Sequence, residues 1–311
     1  MSIKAGLFVG NSSCGVSDFQ RSLSARWIDN GEDVVSVESL WKQSNVDYLV
    51  VSLPMLDLRF RLFLAIELWL TNILYKRKTA LIVHEYEKVR KLRKLQIYSV
   101  ILVASKIGYY RGTNILGINK FNSKELSYIG PNLLLNRTND CVDENVIGFF
   151  GHIYRSKLIE EILQFVGERP KYTVKIVGNI LDLKYKRELE NIIDTNNLSD
   201  RVVFYGEMSQ NLAEEILSGC NFFIQWSKYP WTERNGSVLA LVPMRRPIFV
   251  RKSTAFNALR DYDLPVLEIL ALDEIERYID CAEEKFKRVD NFDVLLWEKV
   301  MEQMKELLDE S

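Results

Sequence analysis

The sequence predicts an α/β protein made of two doubly wound, Rossmann-like domains facing a cleft. Three observations carry that expectation. Short apolar, β-branched runs alternate with longer helical patterns, as in a parallel sheet with crossover helices. The alternation is interrupted once, by the polar stretch NRTNDCVDEN at 136–145, and then begins again. The chain has 311 residues, enough for two domains of ordinary size.

In the first half, IKAGLFVG (3–10) reads as a strand, SDFQRSLSARWIDNG (17–31) as a helix ending at Gly31, and DVVSV (33–37) as a strand. VDYLVVSLP (46–54) is a buried strand stopped by Pro54. LRFRLFLAIELWLTNILYKRK (58–78) is a long apolar helix with basic ends, either a core crossover, which its all-round hydrophobicity favours, or an interfacial helix that meets anionic lipid. TALIVHE (79–85) and SVILVAS (99–105) read as strands. After the linker come strands at 146–151, 172–178, 201–206, 221–227 and 247–250, with helices at 156–167, 184–197, 209–219 and from about Gly236. FDVLLWEKVMEQMKELLD closes the chain with helical periodicity. The expected division is 1–140, 141–290, and a final helix over 291–311 that packs back on the first domain. Ligands of such sheets lie beyond the carboxyl ends of the strands, here between the halves.

Composition excludes several classes. Net charge is −1, so the whole molecule is not built for nucleic acid. Residues 1–140 nevertheless hold 19 Lys and Arg against 12 Asp and Glu, whereas 141–311 hold 22 against 30. A basic front and an acidic back imply different partners. Cys14, Cys141, Cys220 and Cys281 lack metal-ligand spacing and only two histidines accompany them, which suits a reducing cytosol and no metal. MSIKAGLFVG reads as a strand and not as a secretory leader, and no run of 18 uncharged apolar residues occurs. No G-x-G-x-x-G follows the first strand, against a dehydrogenase. Asp261-Tyr262-Asp263 before Pro265 reads as a surface turn and not as a metal motif.

Five stretches carry chemistry. NSSCGVSDF (11–19) is a turn in which Gly15 permits close backbone approach and Ser17 or Asp18 can cap a helix. ALIVHEY (80–86) sets His84 at a strand's carboxyl end, either satisfied by backbone or donating to a ligand hydroxyl. FFGHIYRSKLIEEI (149–162) places Arg155 and Lys157 at a helix start, where basic charge is unfavourable unless an anion is near. VKIVGN (174–179) and DRVVFYGEMSQ (200–210) end strands in glycine. YPWTERNGSVLALVPMRRPIFV (229–250) puts Glu233 before an Asn-Gly-Ser helix mouth, which serves either as a plain cap or as an anion seat.

In this order and spacing the motifs resemble nucleotide-sugar-dependent glycosyltransferases of the GT-B fold, most closely the large retaining family numbered four. The resemblance runs from the first strand to about residue 250. It implies that the second domain holds a UDP- or GDP-linked sugar and the first an acceptor, without metal or other cofactor. By resemblance, Glu233 reads the donor sugar, Lys157 and Arg155 stabilise the departing diphosphate, and His84 touches the transferred sugar. Gly15 approaches the donor diphosphate or the acceptor, and Gly178, Asn179, Gly206, Glu207 and Met208 hold base and ribose. Asn235, Gly236 and Ser237 offer N–H groups to the diphosphate. Two positions depart from the family pattern: His152 stands where an arginine is common, and Leu241 where a second glutamate usually holds the ribose.

The basic run EKVRKLRKLQIY (87–98), with Arg90, Arg93 and Lys94, is either a solvated face or a contact to a lipid-linked acceptor or anionic membrane. The expected activity is retaining transfer of a hexose to a glycan or lipid-linked acceptor, by a cytoplasmic protein at the inner face of the membrane. Two alternatives remain open: a non-catalytic GT-B-like subunit that binds a partner transferase or glycan, and a sugar-nucleotide epimerase.

Overall fold

The computed structural model describes residues 4–10, 15–31, 33–41, 45–55, 58, 63–84, 86, 89–110, 115, 117–128, 133–136, 142–229, 231–232, 235–254, 257, 259–260, 262, 264–279 and 292–309. The chain forms two compact units, Met1–Asn132 with Asp293–Ser311, and Leu133–Phe292.

The first unit is a parallel sheet of β1 (Ala5–Phe8), β2 (Val34–Val37), β3 (Tyr48–Leu53), β4 (Lys78–Val83), β5 (Lys106–Tyr110) and β6 (Ser123–Leu126), in the order β2-β1-β3-β4-β5-β6. Central strands are buried on both faces, so they read as continuous apolar runs. Alternate side chains still point to opposite faces. Val50 and Ile82 join one core with α1 (Gly15–Asp29). Leu49, Val51, Leu81 and Val83 join the other with α2 (Leu64–Tyr75) and α3 (Lys91–Ile101).

Several boundaries differ from expectation for definable reasons. SVILVAS is not a strand: Val100 and Ile101 continue the buried stripe begun by Ile97 on α3, and the strand is Lys106–Tyr110. α1 opens at Gly15, so Ser17 and Asp18 lie inside its first turn; Asp18 pairs with Arg21, which also donates to the Gly10 carbonyl at 2.6 Å. α2 ends at a left-handed Lys76, and Arg77 turns inward to donate to the Leu40 carbonyl. It is the crossover between β3 and β4, but it is buried on one side only. Only Leu64, Leu68 and Thr71 are buried, while Phe63, Ile66, Trp69, Ile73 and Leu74 are exposed. β6 was not foreseen, because SKEL is largely polar and only half-buried.

The closing helix, α8 (Phe292–Asp309), belongs to the first unit. Trp297, 1% exposed, stacks on Phe19 with ring centroids 5.8 Å apart, and Arg26 lies over the Trp297 ring at 5.2 Å. Gln303 accepts from the N–H groups of Ser127 (3.0 Å) and Tyr128 (3.2 Å), tying α8 to the exit of β6.

The second unit is a parallel sheet of β7 (Asp143–Phe150), β8 (Thr173–Val177), β9 (Val202–Gly206), β10 (Cys220–Gln225), β11 (Ile248–Arg251) and β12 (Val266–Ile269), in the order β12-β11-β10-β7-β8-β9. α4 (Ile159–Glu168) and α5 (Leu183–Thr195) cover one face through Ile162, Leu163, Tyr185 and Leu189. α6 (Gln210–Ser218) packs on β8, and α7 (Gly236–Leu241) on β7 and β10. Strand order reverses between β7 and β10, the switch point where doubly wound sheets open a ligand crevice.

Trp297→Ala is expected to cost about 3–5 kcal/mol of the first unit's stability, read from its urea midpoint. A loss below about 1 kcal/mol would mean that α8 is not part of that core.

Candidate active site

The carboxyl ends of β7, β8 and β9 meet without side chains. Gly151 follows β7 with φ +111°, Gly178 follows β8 with φ +153°, and Gly206 closes β9 with φ +72°. The Gly151 N–H donates to the Val177 carbonyl, and the Gly178 N–H to the Gly206 carbonyl, both at 2.9 Å. A Cβ on Gly178 would stand 1.9 Å from the Gly151 carbonyl oxygen, and one on Gly151 would stand 2.9 Å from the Ser237 Cβ. Only glycine supplies both the positive φ and the clearance.

Beyond Gly151 the chain makes a short 3₁₀ turn, Arg155–Lys157, and enters α4 through a left-handed Leu158. The loop after β10 fixes that turn: the Lys228 N–H donates to the Ser156 carbonyl at 2.7 Å and the Ser227 hydroxyl to the same oxygen at 3.1 Å. Lys157 then reaches across the switch point. Its Nζ donates to the Ser237 Oγ at 3.1 Å, and the Ser237 hydroxyl donates to the Asn235 Oδ1 at 2.9 Å. Asn235 caps α7, its carbonyl accepting from the N–H groups of Val238 and Leu239. A half-buried ammonium, a hydroxyl and the first-turn amides of Gly236 and Ser237 thus converge at one strand end. Such a group can hold phosphate oxygens.

Arg155 goes elsewhere. It forms a two-point bond to Glu188 (2.6 and 2.9 Å), lies 3.4 Å from Asp182, and stacks over Tyr185 at 4.9 Å. The Glu188 bond raises the guanidinium pKa, and the Arg155 bond in turn lowers the Glu188 carboxyl. Asp182 is lowered chiefly by the Tyr185 N–H it accepts as cap of α5. Arg155 therefore ties the turn before α4 to α5, while Lys157 is the cation at Ser237. Asn179 donates to Glu207 at 3.2 Å, linking the loops after β8 and β9. Met208 lies half-buried beside Glu207. Glu233 lies outside the described residues. Leu241 is fully buried in α7, so the position of the family's second carboxylate faces the core.

In the first unit, His84 follows β4 and is 3% exposed. Its ring meets Phe19 edge-on at 5.0 Å and Tyr110 at 5.1 Å, and its N–H on the main chain donates to the Leu53 carbonyl. Gly15 opens α1. Arg93 donates to the Met55 and Leu58 carbonyls at 2.6 and 3.0 Å, a structural use of its charge. Lys94 lies over Tyr86 at 5.2 Å, and Arg90 is exposed. Among the described residues no three His, Cys, Asp or Glu come close enough to hold a metal ion. Burial pushes the Cys220 thiol up to about 12, which makes it a poor nucleophile.

Residues 136–240, the segment that holds Lys157, the strand-end glycines and Ser237, match the family model of glycosyl transferases group 1. No curated protein sequence matches the chain. Solved structures do. A glycosyltransferase from Rickettsia africae aligns at 11% identity over 100% of both chains with a TM-score of 0.66. Sucrose-phosphate synthase from Thermosynechococcus elongatus aligns at 12% identity over 99% of this chain and 98% of its own, TM-score 0.64. HepE from Anabaena, in complex with UDP and glucose, aligns at 12% over 98% and 100%, TM-score 0.61.

The fold is GT-B. In GT-B terms the second unit is the one that matches the group 1 model, and the chain resembles that group both in its motifs and in its topology.

Two features of this GT-B unit escaped the sequence reading. Gln225, 1% exposed at the end of β10, donates to the Phe150 carbonyl at 3.1 Å and so spans the switch point. Its signal was a lone amide at the end of an apolar strand. Trp226 and Trp231 bond Glu161 and Glu268 (2.5 and 2.9 Å), clamping the loop between β10 and α7 at two points. Their partners lie 65 and 37 residues away, beyond any local pattern.

Gly178→Ala is expected to destabilise the second unit by about 2–4 kcal/mol in a urea titration. A neutral result would mean that the strand ends tolerate a side chain and that the close approach is not required.

Proposed function

We propose that the protein is a retaining glycosyltransferase. It would move a hexose from a UDP- or GDP-linked sugar to a glycan or lipid-linked acceptor without a metal ion. The observation that carries this reading is the Lys157–Ser237–Asn235 chain of hydrogen bonds, closed between residues 80 apart at the switch point of the unit matched by the group 1 model.

Breaking a sugar–diphosphate bond leaves negative charge on the departing phosphate. A cation already aimed at that position stabilises the transition state more than the ground state. Lys157 has this role, with Ser237 and the first-turn amides of α7 as neutral donors. Glu233 reads hydroxyls of the donor sugar, and Asn179, Glu207 and Met208 line the seat of base and ribose, largely through backbone groups. Arg155 acts through α5, by holding the turn that carries Lys157. His84, 3% exposed against Phe19 and Tyr110, has no part in this reading.

A screen of thermal shifts against nucleotides and nucleotide sugars tests the donor, since a ligand well above its dissociation constant raises the melting temperature. Lys157→Ala is expected to lower turnover by roughly 10²–10³-fold with an unchanged circular-dichroism spectrum, and Glu233→Ala to abolish it. EDTA is expected to leave turnover intact, and the anomeric configuration of the product to match the donor's. Full activity in the Lys157 variant would defeat the assignment.

The burial of Leu241 and the pairing of Arg155 within the helical layer favour one second reading, a GT-B subunit that binds partners without catalysis. Calorimetry separates the two, because such a subunit would take up no nucleotide sugar.

A further inference from the structure

α2 is apolar on both sides but buried on only one. Leu64, Leu68 and Thr71 face the sheet. The outer side carries Phe63 (67% exposed), Ile66, Trp69, Leu70, Ile73 (59%) and Leu74 (64%). With 3.6 residues per turn, these fall within about 140° of the helix circumference. α3, packed beside α2 over the same core, adds exposed Leu92 and Leu95, with Leu102 just past its end. Trp41, whose carbonyl accepts from the Tyr75 hydroxyl, stands exposed near the end of α2. A face of this size and kind marks an interaction surface and not ordinary surface leucines.

Charge indicates what it meets. α3 carries Lys91, Arg93 and Lys94 and no acid, and Glu67 is the sole acidic residue of α2. Arg90 and Lys91 are exposed at the start of α3, as are Lys76 and Lys78 after α2. Aromatic and leucine side chains beside an unbalanced basic rim are what an interfacial helix presents to anionic lipid. A second copy of the same basic face would repel its like. At 12 residues α2 is only about 18 Å long, against about 30 Å of bilayer core, so it can lie in the interface and not span it. Among the described residues no helix is long and apolar enough to cross a membrane.

We infer that the outer faces of α2 and α3 dock on an anionic lipid bilayer. Phe63, Ile66, Trp69, Ile73, Leu74 and Leu95 enter the boundary between headgroups and acyl chains, and Arg90, Lys91 and Lys76 meet the headgroups. The inference does not depend on what the second unit binds.

Co-sedimentation of the full chain with vesicles of phosphatidylcholine alone, or mixed with phosphatidylglycerol, tests it. The protein is expected to follow the anionic vesicles and to stay in solution with the neutral ones. The double variant Ile66→Ser, Ile73→Ser is expected to lose at least about tenfold in binding to anionic vesicles, and Lys91→Glu several-fold. Both keep the wild-type melting temperature, because these side chains are exposed. Should the double variant not fold, Lys91→Glu and the lipid preference of the wild type still decide the matter. The inference is overturned if anionic vesicles leave the protein in solution, or if both variants bind as well as wild type. It is equally overturned if the protein ignores vesicles but forms a dimer in sedimentation equilibrium that the double variant dissolves.

Discussion

The candidate site depends on one steric constraint: β7 and β8 must end side by side without side chains. At Gly178 the Gly151 carbonyl comes closer than any Cβ permits, and at Gly151 the Ser237 side chain does. That proximity brings the Arg155–Lys157 turn and the mouth of α7 to one edge of the sheet. Each partner there is weak alone. A lone lysine at a helix start is disfavoured by the local dipole, and a six-residue helix holds little field. Brought together at a switch point and cross-tied by Gln225 and the Ser156 carbonyl, they form a pre-ordered donor set. Pre-ordering is what lets such groups act on a transition state without reorganisation at the moment of reaction.

Most of the fold was legible because buried parallel strands leave largely apolar runs, and β3, β4 and β10 are such runs. The reading failed where one pattern admits two structures. Val100 and Ile101 are β-branched and apolar, yet they serve a helix whose inward face already included Ile97. It failed also at sheet edges: β6 and β12 are short and half-buried, so they lack the apolar signature of central strands. α2 misled in the other direction. All-round hydrophobicity was read as burial, and half of that surface faces outward.

At the site, Lys157 and Ser237 were legible as separate motifs whose meeting needed the structure. The destination of Arg155 was not legible, because Glu188 lies 33 residues on and its approach depends on how α5 packs beside α4. Leu241 was visible as a departure from a family pattern; its burial shows that the residue serves the core of α7. The histidine at the end of β4 was noticed for its chemistry, and the structure surrounds it with Phe19 and Tyr110.

α8 bears on how the chain is made. It contributes Trp297, Met304 and Leu307 to a core whose strands were all laid down before residue 127. The ribosome therefore finishes every strand of the second unit before it emits the last helix that the first unit needs. Of the two units, the one whose strands are made first is completed second, and until then its unfinished face lacks the cover that α8 provides.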